Sequence, residues 1–257
     1  MINIKKAIIT GGKFISGEVK INGAKNSILA IIPACLLVDG KIVIENICDI
    51  LDVTNYLKLL DILKIKYEHN KDNIIIYSKR IRRTKIYSEL IQTFRASYYL
   101  MGSLIGRYKK IKINMPGGCK IGLRPIDFHL EAFKKLGCKY KIKNDKLMIK
   151  AKKIDGAIID FNKKSVGATI NTILASVYCK GITIIKNASL EPEVNDLVTF
   201  LITLGFNIIK IDDTIIIKGL KKVLKVDVSF KVMPDRIEAL SYMLLGLMNG
   251  DLKIWKY

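Results

Sequence analysis

The chain has 257 residues, half of them apolar, with 18 glycines, five prolines and a formal net charge of +21. That length and apolar content allow one large or two medium globular domains with a real core, and they exclude disordered and collagen-like classes. The five cysteines (Cys35, Cys48, Cys119, Cys138, Cys179) are scattered without C-x-x-C spacing, which argues against a disulfide framework or a zinc site and for free thiols in a reducing compartment.

The longest apolar run, 28–38, is interrupted by Pro33 and falls well short of the roughly 20 residues a membrane span needs. No membrane span and no signal peptide are expected, and the expected location is the cytosol. Lysine outnumbers arginine 37 to 7, and isoleucine reaches 45. That skew is the one AT-rich coding produces, so the charge reads mainly as a solvated basic surface. The lysines are dispersed and no finger, helix-turn-helix or RNP pattern occurs, so no nucleic-acid partner is expected.

Taken in chain order, the elements repeat with a period of about 70 residues. An apolar helix opening at Ala24 is followed by a β-prone run at 41–47, a helix at 53–63 with apolar residues near i, i+3, i+4 and i+7, and a hairpin centred on Asp72-Asn73. The same order returns with a helix from Leu90, a strand at 110–114, a helix at 126–136 and a turn at Asn144-Asp145. It returns again with a helix from Val166, a strand at 182–186, a helix at 194–204 and a turn at Asp212-Asp213. A further strand stands in front of the repeat, as at 157–160. A fourth repeat is expected to begin near Val226, with a helix at 236–248 and a strand at 252–255. Its helix carries Leu240, Met243, Leu244 and Leu247 on one side with no later helix or hairpin to cover them, the pattern of a truncated or split protein.

Few residues invite chemistry. The segment from Met115 to Pro125 combines three glycines, two prolines, Cys119, Lys120 and Arg124 between a strand and a helix. Glycines let such a loop move, and a thiol beside a cation and near a helix start has its thiolate favoured, so Cys119 is a candidate acid or nucleophile. Asn22-Gly23-Ala24-Lys25-Asn26 is a turn opening an apolar helix, where amides and a lysine suit a phosphate or carboxylate. Lys163, Lys164, Ser165 and Val166 repeat that logic and suit a diphosphate. Arg95, inside the second repeat's first helix, and Arg124, at the start of the next, stand out in a lysine-biased chain because a planar guanidinium is not replaceable by an ammonium. His69 and His129 have no partner at metal-ligand spacing, and His129 reads as a packing or supporting residue. No Walker A, G-x-G-x-x-G or G-x-S-x-G motif occurs, and neither a cofactor nor a metal is expected.

These stretches resemble the UDP-N-acetylglucosamine enolpyruvyl transferase family. The resemblance is carried by Gly23-Ala24-Lys25-Asn26, Phe94-Arg95-Ala96-Ser97, 116–127 with its Pro-Gly-Gly-Cys, Ser165-Val166-Gly167-Ala168-Thr169, Glu191-Pro192-Glu193, 200–205 and Pro234-Asp235-Arg236-Ile237-Glu238, in the family's order. It implies an α/β fold, an inside-out α/β barrel of six repeat units in two domains, of which about three and a half would be present. A complete three-unit domain would span 22–232, with 1–21 and 233–257 as remnants of the second.

The implied activity is transfer of the enolpyruvyl group of phosphoenolpyruvate to the 3-hydroxyl of UDP-N-acetylglucosamine, the first committed step of peptidoglycan synthesis. The resemblance makes Cys119 the general acid on a closing lid and the fosfomycin target. It places Lys25 and Asn26 at the phosphoenolpyruvate and sugar site, Arg95 at the UDP-sugar pocket and Arg124 on the phosphate of phosphoenolpyruvate. The segment Arg124, Pro125, Ile126, Asp127 and Phe128 would lie near the uridine, with Lys163, Lys164, Ser165 and Val166 at the diphosphate. The family's general base and further phosphate-gripping arginines belong to the second domain, outside these stretches. Activity is therefore expected only if a separate chain supplies the rest. The alternatives are a non-catalytic remnant, a UDP-sugar-binding half of a split enzyme, or a basic nucleic-acid-binding protein.

Overall fold

The computed structural model describes residues 8, 10–115, 117 and 126–255. In chain order, β1 (Ile15–Lys20) precedes a first repeat made of α1 (Lys25–Cys35), β2 (Gly40–Glu45), α2 (Leu51–Ile62), β3 (Lys66–His69) and β4 (Asn73–Ser78). The second repeat runs β5 (Lys85–Ile86), α3 (Leu90–Thr93), the 3-10 turn η1 (Arg95–Tyr98), α4 (Tyr99–Tyr108), β6 (Lys110–Asn114), α5 (Asp127–Lys135), β7 (Lys139–Lys143) and β8 (Lys146–Lys150). The third runs β9 (Ile158–Asp160), α6 (Val166–Ser176), β10 (Ile182–Lys186), α7 (Pro192–Thr203), β11 (Asn207–Ile211) and β12 (Thr214–Lys218). Then follow β13 (Val228–Lys231), α8 (Arg236–Asn249) and β14 (Gly250–Trp255). The chain divides into a large compact unit, Gly23–Met233, and a small one formed by Met1–Asn22 and Pro234–Tyr257.

Hairpins form where the turn chemistry predicts them. Asn144 and Asp145 both take positive φ (49° and 52°) and Asp212 does likewise (50°), the left-handed backbone that Asn and Asp tolerate best after glycine and that tight hairpins require. Each hairpin adds its second strand antiparallel to the strand between the repeat's helices: β4 to β2, β8 to β6 and β12 to β10. A parallel strand covers the other edge, giving the four-stranded orders β13-β2-β4-β3, β5-β6-β8-β7 and β11-β12-β10-β9. The first of these corrects the expectation of a fourth repeat starting near Val226. β13 completes the first repeat's sheet, with Phe230 opposite Ile44. The front strand that pairs with β14 is instead β1, parallel over Ile15↔Gly250 to Lys20↔Trp255.

In the large unit α1, α4 and α6 lie inside, α2, α5 and α7 are half-buried, and the sheets lie outside, the inside-out α/β arrangement. Ten of the eleven residues of α6, eight of the ten of α4 and nine of the eleven of α1 are buried, so these helices are apolar all round rather than striped. The sheets bury alternate residues, as in β4 and β8, and leave their lysines in water. Helices α4 and α6 approach closely because Gly102 and Gly106 share one face of α4. A Cβ on Gly106 would lie 2.3 Å from the Leu174 carbonyl oxygen.

The helix predicted from Leu90 is broken in two. Phe94 is extended (φ −142°, ψ 143°) and buried, with its ring edge on Tyr56 at 5.6 Å. Ser97 Oγ donates back toward the carbonyls of Ile91 and Phe94, which stabilises the break. Arg95, expected inside a helix, therefore opens one.

In the small unit, Asp235 caps α8 by accepting from the Ile237 and Glu238 amides, and Glu238 accepts from the backbone and side chain of Asn22. The helix is thus well started, yet it buries none of its residues. Among the described residues no helix is long and apolar enough to cross a membrane.

Candidate active site

The strand-to-helix connections distinguish the second repeat. Five residues join β2 to α2 and five join β10 to α7, whereas twelve join β6 to α5. This lengthened connection is the segment that carries Cys119. Its described start is pinned by Met115 N–H donating to the Asp145 carbonyl (2.7 Å) and by Gly117 N–H donating to that of Ile91 (3.3 Å). Cys119, Arg124 and Pro125, with Lys120, lie outside the described residues. The other four cysteines form no disulfide and are buried. Burial pushes the Cys35 thiol far up and that of Cys138 up to about 12, so neither is poised as a nucleophile.

At the start of α1, Lys25 and Asn26 are exposed, and Lys25 Nζ lies 2.7 Å from Asp52 Oδ2 in the first turn of α2. At the start of α6, Ser165 caps the helix by accepting from the Ala168 amide (3.4 Å). Lys163 and Lys164 before it are exposed, and Lys164 Nζ lies 3.2 Å from Asp213 Oδ2 in the third hairpin turn. Exposed cations beside helix N-termini are the arrangement that favours phosphate or carboxylate. Ile126 is the residue before α5. Asp127 is exposed in its first turn, and the Phe128 ring lies 6.3 Å from that of Phe161.

Three of the predicted segments converge. The Arg95 guanidinium sits 5.5 Å from the centre of the Tyr98 ring. Tyr98 in turn meets His129, the neighbour of Phe128, edge-on at 4.9 Å. Both flank Gly167, directly after Val166, where a Cβ would lie 2.6 Å from the Tyr98 hydroxyl and 3.0 Å from His129 Cε1. Arg95, the start of α5 and the start of α6 therefore form one neighbourhood, while Lys25 and Asn26 occupy the start of another inner helix. Sequence reasoning missed Asp52 as the partner of Lys25, whose only signal is an acidic residue in a helix first turn. It also missed Asn171, whose signal is a polar side chain inside the apolar run of α6. Among the described residues no cluster of His, Cys, Asp and Glu could hold a metal ion.

Burial, reinforced by the Arg95 guanidinium, pushes the His129 imidazole from its ordinary 6.5 down to about 3. Between those values the unfolded chain binds a proton that the folded chain does not, so stability falls as the pH drops below about 6.5. Asp196, pushed upward mainly by burial, acts with the opposite sign. In urea denaturation the wild type should lose about 2 kcal/mol more between pH 7 and pH 5 than His129→Gln does. Parallel pH profiles for the two proteins would show that His129 is protonated in the folded state.

A family profile described as EPSP synthase (3-phosphoshikimate 1-carboxyvinyltransferase) matches residues 9–255. The chain belongs to this family. Among the curated relatives of this EPSP synthase family member, UDP-N-acetylglucosamine 1-carboxyvinyltransferase 2 of Staphylococcus aureus is 42% identical over 245 residues. The Staphylococcus epidermidis protein of the same name is 41% identical over 251 residues. Each match covers 95% of this chain and 58% of the relative, so the chain spans rather more than half the length of these relatives. Among solved structures, the enolpyruvyl transferase NikO from Streptomyces tendae superposes with a TM-score of 0.84 at 22% identity, over 95% of this chain and 58% of that one. EPSP synthase from Acinetobacter baumannii superposes with a TM-score of 0.76 at 16% identity, over 95% and 56%. At those identities the two structures establish the fold.

Proposed function

We propose that the chain forms the UDP-sugar side of an enolpyruvyl transferase that joins phosphoenolpyruvate to the 3-hydroxyl of UDP-N-acetylglucosamine and releases phosphate. The observation that carries this reading is the convergence of Arg95, the α5 start and the Ser165-capped α6 start beside Lys163 and Lys164. The 42% identity to enzymes named for that reaction supports it, and so does the lengthened connection carrying Cys119 within the Pro-Gly-Gly-Cys segment.

In this reading a base takes the proton of the sugar 3-hydroxyl as its oxygen bonds to C2 of phosphoenolpyruvate, while Cys119 delivers a proton to the methylene carbon. Loss of that carbon's proton with expulsion of phosphate then restores the enol ether. Protonation at carbon needs a positioned acid, and the departing phosphate needs cations such as Arg124 and Lys25. Arg95, Lys163, Lys164 and the α6 amides take the diphosphate, with 124–128 at the uridine. The reaction belongs to the cytoplasm and to cell-wall synthesis, hence to cell shape and division, and fosfomycin would alkylate Cys119.

Calorimetry on the isolated chain tests the binding half. UDP-N-acetylglucosamine should bind weakly, and Arg95→Ala or Lys163→Ala should weaken it about tenfold or more, as expected when a charge-assisted hydrogen bond to phosphate is removed. Steeply salt-dependent binding to duplex DNA, with no UDP-sugar binding, would instead return the +21 charge to a nucleic-acid role.

A further inference from the structure

Behind Arg95 lies a buried polar chain that the proposed chemistry does not use. Asn171, in the middle of α6, is buried together with His129. Its side-chain oxygen accepts from the Gly102 amide in the first turn of α4 (2.7 Å), and its amide nitrogen lies 2.8 Å from His129 Nδ1. A backbone N–H can only donate, so Oδ1 faces Gly102 and the Asn171 NH2 faces the imidazole. Nδ1 is therefore the acceptor, and the ring proton resides on Nε2. The imidazole is fixed in tautomer and in plane by one carboxamide that ties α4, α5 and α6 together.

The imidazole meets Tyr98 edge-on at 69°, and the Tyr98 ring lies against the Arg95 guanidinium. The same two rings flank Gly167 at the start of α6. Both ends of the Asn171 carboxamide are bonded at this depth, and breaking either bond would leave a buried polar group unmet, so the pairing favours one orientation of the imidazole rather than several. A neutral imidazole suits the role, because a cation here would repel Arg95.

We propose that His129 is a positioning residue. Held by Asn171 and acting through Tyr98, it sets the separation between the Arg95 guanidinium and the N-terminus of α6, and so pre-builds the site for the diphosphate of a UDP-sugar. This rests on the reading that Arg95 and the α6 start bind that ligand.

The test is a double-mutant cycle read by calorimetry, with the full chain and UDP-N-acetylglucosamine. His129→Phe keeps a ring against Tyr98 but cannot accept from Asn171, and it should weaken binding about tenfold. His129→Gln, which retains an acceptor, should recover part of the loss. In the Arg95→Ala background the His129→Phe loss should vanish, because the group it positions is gone. An undiminished loss in that background would mean a general structural effect and would overturn the proposal. So would a His129→Phe protein that binds like wild type while Arg95→Ala does not.

No UDP-sugar binding by the folded wild type would instead overturn the functional reading and this assignment with it. Should His129→Phe fail to fold, nitrogen NMR of the wild-type imidazole decides. UDP-N-acetylglucosamine should shift the Nε2–H signal in the wild type and leave it unmoved in Arg95→Ala. A signal that ligand leaves unmoved in the wild type would overturn the proposal.

Discussion

Co-expression with a polypeptide carrying the portion of the relatives' length that this chain does not span should raise enolpyruvyl transfer from background to a readily measured rate, and should improve the chain's solubility. The small unit states the physical case. Each sheet of the large unit pairs a parallel front strand with a central strand, and a hairpin then adds antiparallel to that central strand. The small unit has the parallel pair β1 and β14 and the helix α8, with no hairpin strand among its described residues. On α8, Leu240 is 55% exposed, Leu244 52% and Leu247 85%, and full burial of such a side chain stabilises by roughly 1.5–3 kcal/mol. A helix and an antiparallel hairpin, the elements that follow the central strand in each repeat of the large unit, would cover this face and extend the sheet at β14.

In the proposed reaction a base must also take the proton of the sugar hydroxyl, a contribution of about 10² to 10⁴ in rate, and the added polypeptide is expected to supply it. In the reconstituted enzyme Cys119→Asp should retain turnover and resist fosfomycin, because a carboxylic acid still donates a proton. Cys119→Ser should abolish phosphate release. Full activity of the serine variant would remove Cys119 from the mechanism. Full activity of the monomeric 257-residue chain alone would remove the need for a partner.

Gly23→Ala should be among the most destabilising single substitutions in the large unit. A Cβ there would lie 1.6 Å from the Asn46 carbonyl oxygen and 2.7 Å from its carbon. Asn46 cannot easily retreat. Its backbone is left-handed (φ 56°), its side chain donates to the Val232 carbonyl at 2.8 Å, and the neighbouring Ala24 amide donates to that of Met233 at 2.7 Å. Backbone must therefore move against backbone, at an expected cost of about 3 kcal/mol or more. That corresponds to a melting temperature lower by roughly 6–12 °C for a chain of this size. Gly11→Ala, with nothing within 4 Å of the added atom, is the control and should change stability by less than about 0.5 kcal/mol. Equal melting of the two variants would show that the 46–50 connection yields. Because Gly23 precedes Lys25, the same substitution should also disturb the start of α1.

Local chemistry made much of this protein legible in its sequence. Hairpin turns at Asn144-Asp145 and Asp212-Asp213 follow from which residues tolerate a left-handed backbone. The helices follow from apolar spacing, and the third repeat's Ser165 cap from a hydroxyl placed before an apolar run. The 70-residue period and the lengthened connection bearing Cys119 are likewise properties of the chain read in order.

What the sequence could not decide is which distant segments meet. Pairing of β13 with β2, and of β1 with β14, joins strands from opposite ends of the chain, and a parallel pairing across a long connection leaves no local mark. The break at Phe94 that brings Arg95 to a helix start depends on a pocket beside Tyr56 supplied by another repeat. Likewise Asn171 looks like an ordinary polar residue in α6 until folding sets it between the Gly102 amide and His129. Local conformational preference acts over a few residues and is written in the sequence, whereas burial and polar satisfaction are settled by neighbours that only the tertiary structure provides.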